Sequence, residues 1–314
     1  MRDLYSIGEM VIDFIPGTEK ASYIRNAGGA PANVAIAVRR NGLKVAMCCK
    51  VGNDDFGRFL YETLKQYDVE AIVPELCEEA ITTMAFVTLA PDGDRSFTFA
   101  RKPGADMFMS PDDVKEADIA DSVIVHAGSC SLSAEPCGEA TRKALRLGHE
   151  KGKLVSFDIN YRNLMWHDDK PACTRATEAI LPYVDLLKIS EEEVDMVGGE
   201  EGIRPTMAKY GIACTVLTLG SKGAKVYFKD QCFDVPGRRA KAVDATGAGD
   251  AFWGGFLSYL RIAGVEKAED LTEEILRNAM NYANVSGWIC VQKKGAIDSL
   301  PTRAEIEAVL EADK

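Results

Sequence analysis

Histidine is scarce in this chain of 314 residues: His126, His149 and His167 are the only three, and none has partners at ligand spacing. A structural zinc site is therefore not expected. The nine cysteines are odd in number, scattered and never arranged as C-x-x-C. Several sit in apolar, strand-like text, where a reduced thiol packs as a small hydrophobe. A basic cluster is missing too. Acidic residues outnumber basic ones 48 to 37, the formal net charge is -11, and no cationic run exists for a nucleic acid to follow. No apolar stretch approaches the roughly 18 residues of a membrane span. The N-terminus has no basic segment followed by an apolar one, so no signal peptide is read and a cytoplasmic location is expected. What is present is material for a core, since 46% of the residues are hydrophobic. That suffices for one large domain spanning residues 1–314.

Strand-like text opens the chain at 5–8 and 10–15, and returns at 81–89 and 95–99 around the turn residues 91–94. These outer pieces alternate poorly, as strands of a small sheet over a cleft would. Between them, 31–41 reads as a helix with Pro31 in its first turn and Gly42 beyond its end, 45–51 as a strand and 54–67 as a second helix. From about residue 120 the pattern becomes strand, then helix, repeatedly. Strand candidates are 122–127, 154–158, 186–189 and 214–219, with helices such as 139–150 between them and 251–260, 272–287 and 303–311 near the end. Apolar strand runs of this kind predict a mainly parallel sheet covered by helices on both faces. Such sheets bind ligands beyond the C-terminal ends of their strands. The polar, glycine-rich text at 158–160, 218–220 and 244–250 falls there.

The sharpest local signal is DATGAGD at 244–250, followed by an apolar helix. Small residues allow close backbone approach, and the first N–H groups of a helix have no acceptors within it. They present donors and a positive dipole end to phosphoryl oxygens. Asp250 at the same mouth is placed to take the proton of an attacking hydroxyl. On its own the segment reads equally well as a glycine turn with Asp250 capping a helix. It is neither a Walker loop nor a G-x-G-x-x-G fingerprint.

Two segments together resolve that choice. DATGAGDAF at 244–252 resembles the second signature of the PfkB (ribokinase-like) carbohydrate kinases, and GGAPANVA at 28–35 resembles the first, in the same order and at the family's separation. The resemblance implies a three-layer α/β/α sandwich with a small β-sheet lid from segments around 13–26 and 81–99. It also implies transfer of a phosphoryl group from MgATP to a small sugar. In that reading Asp250 is the base, and Gly247, Ala248 and Gly249 form the anion hole. Asp13, Gly28, Gly29 and Asn33 hold sugar hydroxyls, a task for groups that pair with neighbouring hydroxyls. Arg101, Asn160 and Arg162 stand near the reacting sugar and phosphate, since guanidinium forks bind oxyanions in pairs.

Further positions follow from the same resemblance. Lys188, Thr218, Gly220, Ser221, Gly223 and Asn284 look like nucleotide contacts, while 218–223 alone also reads as an ordinary hairpin turn. The family often carries Asn-x-x-Glu where this chain has Ser190-Glu191-Glu192-Glu193, which leaves Glu193 to organise Mg2+ through water. Asp244, Thr246, Gly295 and Ser299 resemble the surroundings of a K+ site. FDINYRNLMW at 157–166 is similar to fructokinases and 2-keto-3-deoxygluconate kinases. The text around Arg101 with Ala105-Asp106-Met107, and HAGSCSLSAEP at 126–136, are similar to fructokinases. Fructose and ATP are the expected substrates, with ketodeoxygluconate the alternative and ribose a weaker one. An idle sugar- or nucleotide-binding regulator is the reading from outside the enzymes. A homodimer through the lid is also expected, because exposed sheet edges need covering.

Overall fold

The computed structural model describes residues 1–19, 21–89 and 95–313. The chain opens with β1 (Arg2–Ile7), β2 (Val11–Pro16), β3 (Tyr23–Gly28), α1 (Ala30–Arg40), β4 (Val45–Cys48), α2 (Asp55–Gln66) and the short β5 (Glu70–Ala71). Strands β6 (Met84–Leu89) and β7 (Arg95–Ala100) follow, and the predicted turn at 91–94 lies outside the described residues. Then come α3 (Glu116–Ala120), β8 (Ser122–Gly128), α4 (Cys137–Glu150), β9 (Leu154–Asp158), α5 (Lys170–Ile180), β10 (Leu186–Ser190) and α6 (Glu200–Tyr210). The remainder is β11 (Cys214–Thr218), β12 (Gly223–Phe228), β13 (Gln231–Pro236), α7 (Ala248–Ile262), α8 (Glu273–Cys290) and α9 (Arg303–Ala312).

The large sheet has the order β13-β12-β11-β10-β9-β8-β1-β4-β5. It is parallel from β11 to β5, and β12 and β13 close one edge antiparallel. Its strands bury both faces because successive side chains point to opposite sides. Leu4, Ile124, Leu154 and Leu186 pack into one apolar core with α1, α7 and α8. Their neighbours Tyr5, Val125, Val155 and Leu187 pack into a second with α4, α5 and α6. These are the three layers that the resemblance implied. The chain runs from β1 outward to β4 and β5, then crosses back to β8 and continues the other way. The direction reverses between β1 and β8, and open sheets of this kind bind ligands beyond the strand ends near such a switch point.

A separate four-stranded sheet has the order β3-β2-β6-β7. Phe14 on β2 stacks on Phe86 of β6 at 4.8 Å and meets Phe56 of α2 edge-on at 5.6 Å, which anchors this sheet beside the main body. All nine cysteines are unpaired, and Cys232 alone is exposed. Among the described residues, no helix is long and apolar enough to cross a membrane.

Candidate active site

Helix α7 starts three residues earlier than its apolar pattern predicts. Its N-cap is Gly247, in the left-handed region at φ 76°, and no side chain caps it. Asp250 is therefore not the cap. It lies in the first turn and is buried. A Cβ on Gly247 would come within 3.0 Å of Ala296, so the turn is tight as well as left-handed. In this first turn the Ala248 N–H donates to the Ala245 carbonyl at 3.2 Å, so the expected cradle rests on the Gly249 N–H and the positive end of the helix dipole, which face the place a phosphoryl group would take.

Helix α1 brings up the other half. Pro31 in its first turn fixes the start of the helix. Asn33, one turn in and buried, donates from Nδ2 to Asp250 Oδ2 at 2.7 Å across 217 residues of sequence. The Asn33 amide oxygen is buried with no partner, an acceptor waiting for a donor. The backbone before it is constrained from two sides. Gly29 sits at φ 107°, and a Cβ there would come within 2.5 Å of the Glu9 carbonyl oxygen. A Cβ on Gly28 would sit 2.0 Å from Asp13 Oδ2, so this glycine makes room for the carboxylate of β2. Asp13 is only partly covered by protein. Burial pushes its carboxyl up to about 7, Arg162 pulls it back, and Asp250 and Asp244 push further.

The ends of β9 and β10 form the floor. Asp158 and Lys188 are register neighbours on adjacent parallel strands, and Lys188 Nζ lies 2.7 Å from Asp158 Oδ2 with both side chains buried. Beyond β9, Asn160 is buried with φ +41°, and Arg162 is open to solvent. The crowded protein around its base pulls the Arg162 guanidinium down although its tip reaches solvent, and Cys130 with the carboxyls of Asp250, Glu193 and Asp158 more than offsets this and holds it above its ordinary value. Glu193 has a local task. Its Oε1 accepts from Tyr161 N–H at 2.7 Å and its Oε2 from Ser190 N–H at 2.9 Å, which ties the two strand exits together.

Three further predicted positions, Arg101, Thr218 and Asn284, also bond within the protein. Arg101 is buried, with Nε donating to Asp106 Oδ2 at 2.8 Å and Nη1 to Ser133 Oγ at 3.0 Å. Its Nη2 lies 2.7 Å from Asp106 Oδ2 as an ion pair but makes no hydrogen bond, so part of the fork keeps bonding capacity. The segment 218–223 does form the hairpin turn between β11 and β12, with Gly220 and Gly223 at positive φ and Ser221 between them. Thr218 Oγ1 donates to the Ile189 carbonyl at 3.3 Å. Asn284 donates to the Pro236 carbonyl at 3.0 Å.

The groups proposed around cations can be tested by their donors. Asp244 is buried and accepts from Thr246 N–H at 2.9 Å through Oδ1 and from Gly295 N–H at 3.1 Å through Oδ2. Ser299 Oγ donates to the Ala296 carbonyl at 2.7 Å. The carboxylate therefore draws two loops together, and backbone carbonyls are the oxygens such loops offer a monovalent ion. For Mg2+, both Glu193 oxygens already accept backbone N–H groups, which fits contact through water. Among the described residues no cluster of three acidic, histidine or cysteine side chains could hold a metal. A magnesium ion arriving with the nucleotide and keeping several waters fits this donor set.

Glu9 escaped the sequence reading. It is buried between β1 and β2, one carboxyl oxygen has no partner, and burial pushes it up to about 7. The available signal was an acid directly after Gly8 in otherwise apolar text. Asp158 was read only as part of the strand-end text, though opposite charges ending neighbouring apolar strands could have marked the pair.

Comparison with known proteins identifies the family. Residues 1–303 match the model of the pfkB family carbohydrate kinases. A curated relative from Zea mays, Fructokinase-1, is 38% identical over 322 residues, covering 98% of this chain and 97% of its own. The structure of a fructokinase with bound ATP from Xylella fastidiosa superimposes with a TM-score of 0.91 at 28% identity, over 99% of this chain and 98% of that one. A fructokinase from Vibrio cholerae O395 in a form binding fructose, ADP and calcium ion gives 0.87 at 34% identity, with 98% of each chain covered. The chain belongs to the pfkB family of carbohydrate kinases.

Proposed function

We propose that this carbohydrate kinase is a fructokinase, transferring the terminal phosphoryl group of MgATP to the 6-hydroxyl of fructose to give fructose 6-phosphate and ADP. The chemistry rests on one observation above all: the 2.7 Å bond from Asn33 to Asp250 at the mouth of α7. Asn33 engages Oδ2 and leaves Oδ1 to accept the hydroxyl proton as the sugar oxygen attacks phosphorus. The bond from phosphorus to the bridging oxygen of ADP breaks on the opposite side. The Gly249 N–H and the positive end of the α7 dipole hold the charge on the group in transit without reorganising. Asp13 and the unpartnered Asn33 oxygen accept bonds from other hydroxyls of the sugar. When bound, Mg2+ would supply charge neutralisation on the nucleotide phosphates, and Glu193 is the residue that would hold it through water.

The choice of fructose is supported by the names of the relatives in maize, Xylella and Vibrio. Closure of the small sheet over the sugar is part of the reading, since excluding water suppresses ATP hydrolysis. So is K+ at the loops joined by Asp244. A homodimer through the small sheet is supported by Tyr23 and Ile24, 48% and 56% exposed on the edge strand β3. The test is ADP release with MgATP and K+ from fructose, 2-keto-3-deoxygluconate, ribose and no sugar. Fructose should dominate. Preference for ketodeoxygluconate moves the assignment to that sugar, and silence on all three overturns the proposal.

A further inference from the structure

We propose that Asp158 is a positioning residue: it holds the ammonium of Lys188, already expected as a nucleotide contact, under the first turn of α7, so that it meets the phosphoryl group during transfer. The inference deepens the kinase reading and rests on phosphoryl transfer at that turn. Three independent observations carry it.

The first is placement. A Cβ built on Gly249 would lie 3.6 Å from Lys188 Nζ, so the ammonium reaches the backbone of the anion cradle itself. Asp158 and Lys188 face α7 rather than the opposite layer. Ser156, two residues before Asp158 on the same side of β9, accepts from Trp253 Nε1 of α7 at 2.9 Å. Leu186, two before Lys188, packs in the core that contains α7.

The second is unused bonding capacity. Lys188 carries three donors and spends one, on Asp158 Oδ2. The other carboxylate oxygen, Asp158 Oδ1, is buried with no partner. An isolated buried ion pair is commonly no more stabilising than apolar side chains of the same volume, so stability alone does not account for this one. Ammonium donors aimed at a cradle, on a carboxylate with room to shift, describe a charge kept ready for an incoming anion.

The third is the electrostatic surroundings. The groups facing Lys188 are Asp158 on β9, Glu193 beyond β10, Asp250 on α7 and His126 on β8, and Arg162 faces Asp158. Burial pulls the ammonium down, but the three carboxylates hold it above its ordinary value, so it stays a cation. Burial and Lys188 push His126 down to about 3, which leaves that ring neutral at working pH. Lys188 is therefore the fixed positive charge beneath the cradle, and Asp158 fixes where it stands.

The test compares wild type with Asp158→Asn, Lys188→Met, Lys188→Arg and the Asp158→Asn/Lys188→Met double variant. Three quantities are read: kcat, thermal midpoint, and affinities for ADP and a non-hydrolysable ATP analogue by calorimetry. Lys188→Met should lower kcat about 10²–10³-fold, the range for losing one transition-state donor. It should weaken the analogue about tenfold more than ADP, since only the analogue carries the third phosphate. Asp158→Asn should lower kcat about tenfold with the same preference for weakening the analogue, and add nothing to Lys188→Met. Lys188→Arg should recover part of the loss. Asp158→Asn that only lowers the thermal midpoint, or whose effects add in full to those of Lys188→Met, overturns the proposal. The analogue titration reads the pair even if the wild type turns over none of the sugars tested, so the two readings fail separately.

Discussion

Two adjacent glycines should fail in different ways when each is replaced by alanine. In Gly28→Ala the new methyl would sit 2.0 Å from Asp13 Oδ2 and 2.8 Å from its Cγ, and the obstacle is a side chain that can rotate away. The fold survives while the carboxylate leaves its place. A hydrogen bond to a charged group is worth about 1.5–3 kcal/mol, so the KM for sugar should rise about 10–100-fold, with affinity for ATP near that of wild type. In Gly29→Ala the obstacles are backbone: the Glu9 carbonyl oxygen at 2.5 Å and Met10 Cα at 3.0 Å, at φ 107°. Neither can rotate away. Strain of this kind costs about 1–3 kcal/mol before the overlap is added, and at about 2–4 °C per kcal/mol the thermal midpoint should fall by several degrees. Scanning calorimetry and sugar-dependent ADP release separate the two outcomes. Wild-type sugar KM in Gly28→Ala, or an unchanged thermal midpoint in Gly29→Ala, would refute the reasoning.

The raised carboxyl of Asp13 has a consequence for stability. Between about pH 4 and 7 the native state holds a proton on Asp13 that the unfolded chain has released, so this group makes stability fall as pH rises through that window and level off above it. Asp13→Asn should then be more stable than wild type at pH 8, by about 1–2 kcal/mol because water reaches part of the site, and should lose the advantage below pH 4. Thermal melts across that range check the sign, and a less stable variant at pH 8 contradicts it. Asn33→Asp would set a second carboxyl at hydrogen-bonding distance from Asp250. The pair should share a proton, moving the acidic limb of the kcat profile upward by about a unit or more. An unmoved limb argues against Asp250 as the base.

The layers were legible because the strands of the large sheet are short apolar runs between helical patterns, and both faces of such strands must be covered. Individual elements were lost where local chemistry disguised them. Pro205 inside α6 removes a backbone donor, and the sequence reading named no helix there. The glycines opening α7 are poor helix formers, which hid its first turn and made Asp250 look like a cap. Strand β13 alternates only over Phe233-Asp234-Val235 before Pro236 ends it at the sheet edge, too short a run to stand out in the sequence. Within the site, the signatures named Asn33 and Asp250, but only the fold shows that they touch. Lys188 was named for its position alone, and its pairing with Asp158 required the register of β9 and β10. Glu193 was read for a metal, and its two bonds to Tyr161 and Ser190 depend on loop geometry that no spacing reveals.

The most direct test of the account is sugar-dependent ADP release by Asp250→Asn, measured beside wild type with MgATP, K+ and saturating fructose. Asn33 and the N–H groups of α7 still bind and orient in that variant, so ATP affinity and the thermal midpoint should be retained. Turnover should fall about 10²–10⁴-fold, the range for removing a general base. A kcat close to that of wild type in the folded variant would mean that the proton leaves the sugar by another route, and the central claim would be wrong.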